Sequence, residues 1–422
     1  IKAASENSLM IRKIARLKYL PEGPVVIDGH VEMSAAGVMF ADTVLSVGDY
    51  RVAADGTMSL QPRSNASDLV FSIAGPSLHE AGLVGGFAAL PVKDFSISGD
   101  FVGTPTGFEM RNFIARVGDS NLQGEFDADL AGKPRIRGTL ASTRLDLTDP
   151  VGRGEASQEQ AQPEKPGETA DDVGGERLFS GKRLDTSWLQ KADIDVRLQI
   201  DELIGNRLHV TDVVVGLELL DGALGVAPVF LREDDGTIEA TFSLVPRDGD
   251  YELQTSLRIE SVHIGMLAPG IKDTDSLPPT TGNMQFSGSG NSIRSIMASL
   301  NGQLSVRQDA GKVQEIFGAG FFRDVLLQVL RTLNPLSRAR DYQLLECGIY
   351  EITVKDGLAE IDNFVIQTDS MTTVARGEIN LRNERLEIAF RAKPREGIGI
   401  CLSLIHISEP TRRRDSSRMP SS

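Results

Sequence analysis

The sequence predicts a mainly β protein: an elongated, curved antiparallel β-sheet, groove-like and built from repeated β-meanders, with one amphipathic helix. Three observations carry that expectation. Residues 348–394 alternate apolar and polar side chains in four successive runs, with Ile349, Ile352 and Val354, then Phe364 and Ile366, Ile379 and Leu381, and Leu386, Ile388 and Phe390. Asp356-Gly357 and Asn383-Glu384 punctuate the runs as turns, and a period of two between turn residues is the pattern of strands with one apolar and one wet face. The motif also recurs. Residues 117–130 and 368–381 both run Asp-Ser, a short gap, then Gly-Glu-apolar-polar and a final Leu, which indicates a repeated β unit stacked along one axis.

Composition agrees. Of 422 residues, 40% are hydrophobic and 24% charged, so the chain can bury a core. The 42 glycines far outnumber the aromatic residues, as many short strands and turns require. A net charge of −15 argues against nucleic acid as a partner, because phosphate binding needs a basic surface. The sequence contains no run of about 18 apolar residues that could cross a bilayer as a helix.

Residues 1–151 form an N-terminal β-rich region whose start reads as truncated, since Ile1 is not Met. Val25–Ile27 and Val31–Met33 flank Gly29 as a hairpin, and residues 78–90 carry a short Gly-rich helix. Strands follow at 71–75, 95–101, 122–130 and 135–147 by the same alternation. Residues 152–176, rich in Glu, Gln and Pro, lack the apolar side chains needed to offset ordering entropy and predict a disordered acidic linker.

The second region, 177–401, opens on the cleanest strand. Ile194, Val196, Leu198 and Ile200 point one way, and Asp193, Asp195, Arg197, Gln199 and Asp201 the other. Val213, Val215, Leu217 and Leu219 repeat it before a turn at Asp221-Gly222. Strands are expected again at 238–244, 253–259, 283–288 and 302–307. Trp188, the only Trp, reads as a core anchor. Residues 316–333 carry Ile316, Phe317, Phe321, Val325, Leu326, Val329, Leu330 and Leu333 near helical spacing, and Asn334-Pro335 ends the run. This is the amphipathic helix, covering a sheet face or touching a membrane.

Residues 402–422 stand apart. Leu-Ser-Leu-Ile-His-Ile-Ser-Glu-Pro-Thr-Arg reads as a translated transposase sequencing adapter, so this stretch is a non-native tail or, failing that, a disordered basic one. The two cysteines, Cys347 and Cys401, offer no zinc spacing. Cys347 reads as a small buried residue, with a Cys347–Cys401 bond as the alternative.

Several segments together resemble a known family. Residues 118–124 (Gly-Asp-Ser-Asn-Leu-Gln-Gly), 137–147, Leu178-Phe-Ser180 with Ala192-Asp-Ile-Asp195, and the closing meander through Gly377-Glu-Ile-Asn-Leu381 are similar to the AsmA family of Gram-negative bacteria. The resemblance covers roughly residues 71–400. It implies an envelope-biogenesis protein at the periplasmic face of the inner membrane, held by an N-terminal anchor that this chain lacks. It also implies a β-groove that shelters or conducts phospholipid or another membrane lipid between the inner and outer membranes, with envelope proteins as further partners and no cofactor.

The residues themselves leave two architectures open. A trough puts one set of side chains inside it, and acyl chains gain about 0.8 kcal/mol per buried methylene there. A sandwich covers the same apolar face with a second sheet. In the trough, the candidate wall is Val196, Leu198, Ile200, Val213, Val215, Leu217, Ile352, Val354, Phe364, Ile366, Ile379, Leu381, Ile388 and Phe390. A scaffold for outer-membrane assembly, acting through sheet edges, is the alternative function. Catalysis is not expected. None of the five His sits in a metal or nucleophile motif, Gly288-Ser-Gly290 lacks the third glycine of a dinucleotide loop, and Glu233-Asp234-Asp235 before Gly236 reads as a turn.

Overall fold

A computed structural model describes residues 2–5, 8, 19–60, 67–85, 90–148, 177–205, 208–264, 277–314 and 342–395. The expected linker, the helix at 316–333, Cys401 and the tail lie outside the described residues.

Among the described residues the fold is one open sheet of 22 strands, most of them antiparallel. In the N-terminal half these are β1 (Lys2–Ser5), β2 (Val25–Met33), β3 (Gly37–Val47), β4 (Tyr50–Ser59), β5 (Asp68–Gly75), β6 (Phe95–Gly103), β7 (Gly107–Val117), β8 (Ser120–Asp129), β9 (Arg135–Ser142) and β10 (Leu145–Asp146). The second half has β11 (Asp193–Ile204), β12 (His209–Leu220), β13 (Ala223–Glu233), β14 (Gly236–Arg247), β15 (Asp250–Val262), β16 (Thr280–Gly290), β17 (Asn301–Gln308), β18 (Gly311–Gln314), β19 (Tyr342–Lys355), β20 (Leu358–Thr368), β21 (Met371–Asn380) and β22 (Arg385–Pro394). Each strand pairs with its neighbours in chain order from β1 to β9 and from β11 to β22. β10 and β18 are short additions alongside β11 and β19. The remaining 22 − 2 = 20 strands form one ladder, about 90 Å long at the ordinary strand spacing.

Local chemistry explains the meander. Asp221-Gly222, Asp248-Gly249 and Asp356-Gly357 all have positive φ at both positions (50° and 83°, 50° and 90°, 47° and 72°). Two such residues make the tight hairpin turn whose twist matches the flanking strands. These turns lie at one rim of the sheet, called here the Asp221 rim. The turns at 118–119 and 234–235 lie at the opposite rim, the Asp234 rim.

The expected repeat is visible in the backbone. Gly124 on β8 and Gly377 on β21, the glycines of the two Gly-Glu motifs, have φ of 150° and 151°. A Cβ there would stand 2.1 Å from the Thr139 carbonyl and 2.0 Å from the Glu387 carbonyl, each on the next strand. Only glycine fits. The expected hairpin at Gly29 is a different feature. Val25–Met33 is one strand, bulged between Asp28 and His30, with Gly29 at φ 140°.

One junction breaks the antiparallel rule. β9 and β11 pair in parallel, Asp193 with Arg135 through Ile200 with Ser142. Parallel neighbours require a long crossover, and the 50 residues between them include the expected linker. Asp193 seals this junction. Its side chain is 7% exposed, pairs with Lys133 and with Arg135 at 3.6 Å, and accepts the Asp221 amide at 3.1 Å. The Lys133 ammonium, then the Asp221 N–H, hold its carboxyl below the usual range. Asp195 and Asp201 are exposed as their alternation predicts, but Asp193 is not.

Two short helices, Leu78–Gly85 and Ile293–Ala298, sit at the rims. Ser292 caps the second, accepting the Ser295 amide in a reciprocal capping box. Trp188, expected as a core anchor, is 53% exposed, and the adjacent Leu189 is buried instead at 1%. Cys347 is buried.

Candidate functional site: the apolar face of the sheet

Cross-strand register decides which side chains share a face. One row runs across 14 strands, β7 to β22, by successive pairing: Phe113, Gly124, Leu140, Leu198, Val215, Val229, Ala240, Leu257, Met284, Leu304, Ile352, Ile361, Gly377 and Ile388. No polar side chain interrupts it. At about 4.8 Å per step the row is about 62 Å long. The adjacent row runs from Phe101 through Met110, Phe126, Gly138, Val196, Leu217, Val226 and Phe242, and continues through Thr255, Phe286, Gly302, Val354, Ala359 and Ile379 to Leu386. Thr255 is its one polar member.

The other face is wet. Arg137 pairs with Asp127 at 3.0 Å, Arg247 with Glu252 at 2.7 Å, and Arg258 with Glu260 at 2.7 Å. Such exposed pairs stabilise by at most about 1 kcal/mol each, but they show which face meets water.

Burial along the first row is informative. Of its 14 residues only Ile361 is buried, and the other thirteen are half-buried. Sheet neighbours cover their flanks, and among the described residues no second sheet covers their tips. A sandwich would bury both inner faces, and the described residues do not bury this one in that way.

Cover is local and near the rims. At the Asp221 rim, Leu300 and Met297 pack with Val354, Ala359, Ile379, Leu381 and Leu386. At the Asp234 rim, Val262 and Ile264 pack with Ile200, Val210 and Val213. Near that rim a small polar node sits in the apolar wall. Tyr350 Oη donates to Gln308 Oε1 at 3.0 Å, and Gln308 Nε2 donates to Thr280 Oγ1 at 3.3 Å. Burial pushes the Tyr350 phenol above its ordinary range, keeping it a neutral donor.

The sequence-derived wall residues fall on this one face. Ile200, Val213, Val354, Ile366 and Ile379 are buried by the protein's own packing. Val196, Leu198, Val215, Leu217, Ile352, Phe364, Leu381, Ile388 and Phe390 are half-buried. Leu381 lies just past β21 and packs in the cluster under the short helix.

The N-terminal half extends the wall with residues the alternation did not single out. Phe101 stacks on Phe108 at 5.4 Å, and Phe126 meets Phe108 and Phe113 edge-on at 6.3 and 5.6 Å. One extra residue in β7 slips its register against both neighbours, between Ser98 and Asp100 and between Met110 and Phe113, and inverts the in-out reading along the strand that holds Phe108 and Phe113. Phe101 and Phe126 lie on β6 and β8, which alternate without a bulge, but the candidate wall was drawn from the second half of the chain alone. The alternating stretches on either side of each slip were the available signal.

No catalytic arrangement emerges among the described residues. Glu233, Asp234 and His263 bring ligand-type atoms within 4.8 Å of one another. The Glu233 carboxylate accepts the His263 amide at 2.7 Å, so it acts as a local cap of the Asp234 rim. No helix of the described residues is long and apolar enough to cross a membrane.

Comparison with known proteins bears on this surface. The model of the AsmA family matches residues 55–360. The chain is 23% identical over 359 residues to the AsmA family protein YhjG of Escherichia coli (strain K12), covering 81% of this chain and 51% of that protein. It thus spans about half the length of the curated relative it matches. No solved structure matches.

Proposed function

The chain belongs to the AsmA family, and from that premise we propose that it is a non-enzymatic envelope-biogenesis protein whose open apolar sheet face shelters or conducts phospholipid between two membranes. The observation that carries this reading is the unbroken row of apolar residues from Phe113 to Ile388, all but Ile361 half-buried. Membership of the family supports an envelope role related to lipid transport in a Gram-negative bacterium. The periplasmic face of the inner membrane is the proposed location.

Physical chemistry favours lipid over a small polar substrate. An acyl chain needs continuity, not hydrogen bonds, and each methylene moved out of water contributes about 0.8 kcal/mol. A row about 62 Å long accommodates several fully extended chains end to end. Charges confined to the outer face and the rims leave no polar barrier along the row.

The test is photocrosslinking in cells at adjacent positions on opposite faces. A diazirine residue at Val196 is expected to crosslink phospholipid, and one at Arg197 to crosslink none. Equal labelling at both positions, or none at either, contradicts the proposal. Protein crosslinks at both positions instead would favour the scaffold.

A further inference from the structure

The described ladder ends on β22, and the outer side of that strand is a free edge. β22 runs ten residues, Arg385–Pro394, with no bulge against β21. Its backbone groups alternate between the two sides. The Arg395 amide donates to Ser370 O at 3.1 Å, so the odd-numbered residues of β22 bond to β21. Leu386, Ile388, Phe390 and Ala392 therefore turn their N–H and C=O groups outward. Among the described residues no strand pairs with that side. A long, regular edge is a template for another strand unless bulges or inward charges blunt it. Pro394, the next outward residue, has no N–H and closes only the far end. The strand at the other edge, β1, has four residues.

The wet face beside this edge is out of charge balance. Glu360, Glu378 and Glu387 stand directly opposite one another on β20, β21 and β22. All three are exposed, and among the described residues none has a basic partner. Like charges in register repel. Arg391, on the same face of β22 as Glu387, is exposed and lies opposite Val374, not an acid.

The spacing makes β22 complementary to itself. Two copies laid antiparallel about an axis at Ala389 place Glu387 opposite the partner's Arg391, and Arg391 opposite the partner's Glu387. The same register sets Ile388 opposite the partner's Phe390 and Leu386 opposite the partner's Ala392. These are the outward residues, so about eight backbone hydrogen bonds form across the junction. A slip of two residues either way loses both Glu387–Arg391 pairs. One slip brings Arg385 opposite the partner's Arg391, and the other puts Pro394 at a bonding position. In the favoured register the only like-charged meeting, Arg385 with the partner's Lys393, falls at the ends of the paired span, where salt and water screen it. Ile388 and Leu386 close the two apolar rows, so the partner's strand continues both.

We propose that two copies of this chain join edge to edge through β22, antiparallel about Ala389, into one sheet with a shared apolar face. The proposal rests on the free edge and its charges, and its failure would leave the lipid reading untouched.

The test is sedimentation velocity of the full chain across a concentration series reaching tens of micromolar, where the parent is expected to dimerise. Glu387→Arg and Arg391→Glu, tested separately, are each expected to raise the dissociation constant about tenfold or more, because each creates two like-charged pairs. An equimolar mixture of the two variants is expected to recover the parent's affinity, since every pair across the junction is again of opposite charge. Both substitutions in one chain are expected to recover it too. A parent that stays monomeric would overturn the proposal. Single variants that associate as tightly as the parent would overturn it as well, because the contact would then lie elsewhere, on the apolar face or another edge. A mixture no tighter than its components would show that these charges do not meet in this register, with the same consequence. Circular dichroism confirms that the sheet persists in each variant, as the exposure of both side chains leads one to expect.

Discussion

Replacing Leu198 and Leu217 together with Glu is expected to reduce co-purifying phospholipid by at least tenfold while leaving the protein folded. Both side chains are half-buried on β11 and β12, one on each of the two apolar rows. Two competing effects decide the outcome. For folding, each loses only part of the roughly 1.5–3 kcal/mol that a fully buried Leu contributes, about 1 kcal/mol apiece. The new carboxylates point toward the uncovered side of the sheet and stay hydrated when no ligand is bound. A bound acyl chain must strip that water, which costs several kcal/mol unless the charge is paired. Lipid retention therefore falls much further than stability. Gln199→Glu, one residue along β11 on the wet face, is the matched control and is expected to change neither. Lipid extraction with urea unfolding of the three proteins checks this. Parallel loss of lipid and stability in the double variant would mean that the face is a closed core.

Gly377→Val is expected to destabilise the protein by about 3 kcal/mol or more, the larger effect on folding. Its φ of 151° is a conformation that β-branched residues avoid, and its Cβ would stand 2.0 Å from the Glu387 carbonyl on β22. The β21–β22 ladder must open locally to admit it. Gly124→Val is expected to do the same between β8 and β9, where the contact is 2.1 Å. Urea midpoints read both. A loss under about 1 kcal/mol at either site would contradict the strand register assigned there.

These two glycines show how far the sequence could be read. The Gly-Glu motifs at 124–125 and 377–378 announced a repeated strand, and the structure gives both glycines the same backbone geometry. The clean alternation at 194–200 and 213–219 placed its residues on one face, because no bulge intervenes before Ile200. Where β7 bulges the inference failed, and Phe113 is not legible as a wall residue. Phe126 continues the wall from the regular alternation of β8 but is not among the wall candidates, which all come from the second half of the chain. Asp193 looked like any outward residue of its strand. Only the parallel pairing of β9 with β11, a contact between residues 58 positions apart, brings Lys133 and Arg135 onto it. The segment leading into β11 was illegible for a similar reason. Residues 177–192 have no period, and their partners at Glu384, Arg294 and Tyr251 are set by the finished sheet. Trp188 was misread because its size suggests a core residue, whereas the rim buries Leu189.

The claim at the centre is that the apolar face is open to acyl chains. Purifying the chain from cells without detergent and weighing its extracted lipid against protein by mass spectrometry tests this most directly. The expected result is phospholipid in at least equimolar amount, because a row about 62 Å long does not stay bare in a membrane-rich lysate. A folded, monomeric protein carrying no lipid would contradict the account.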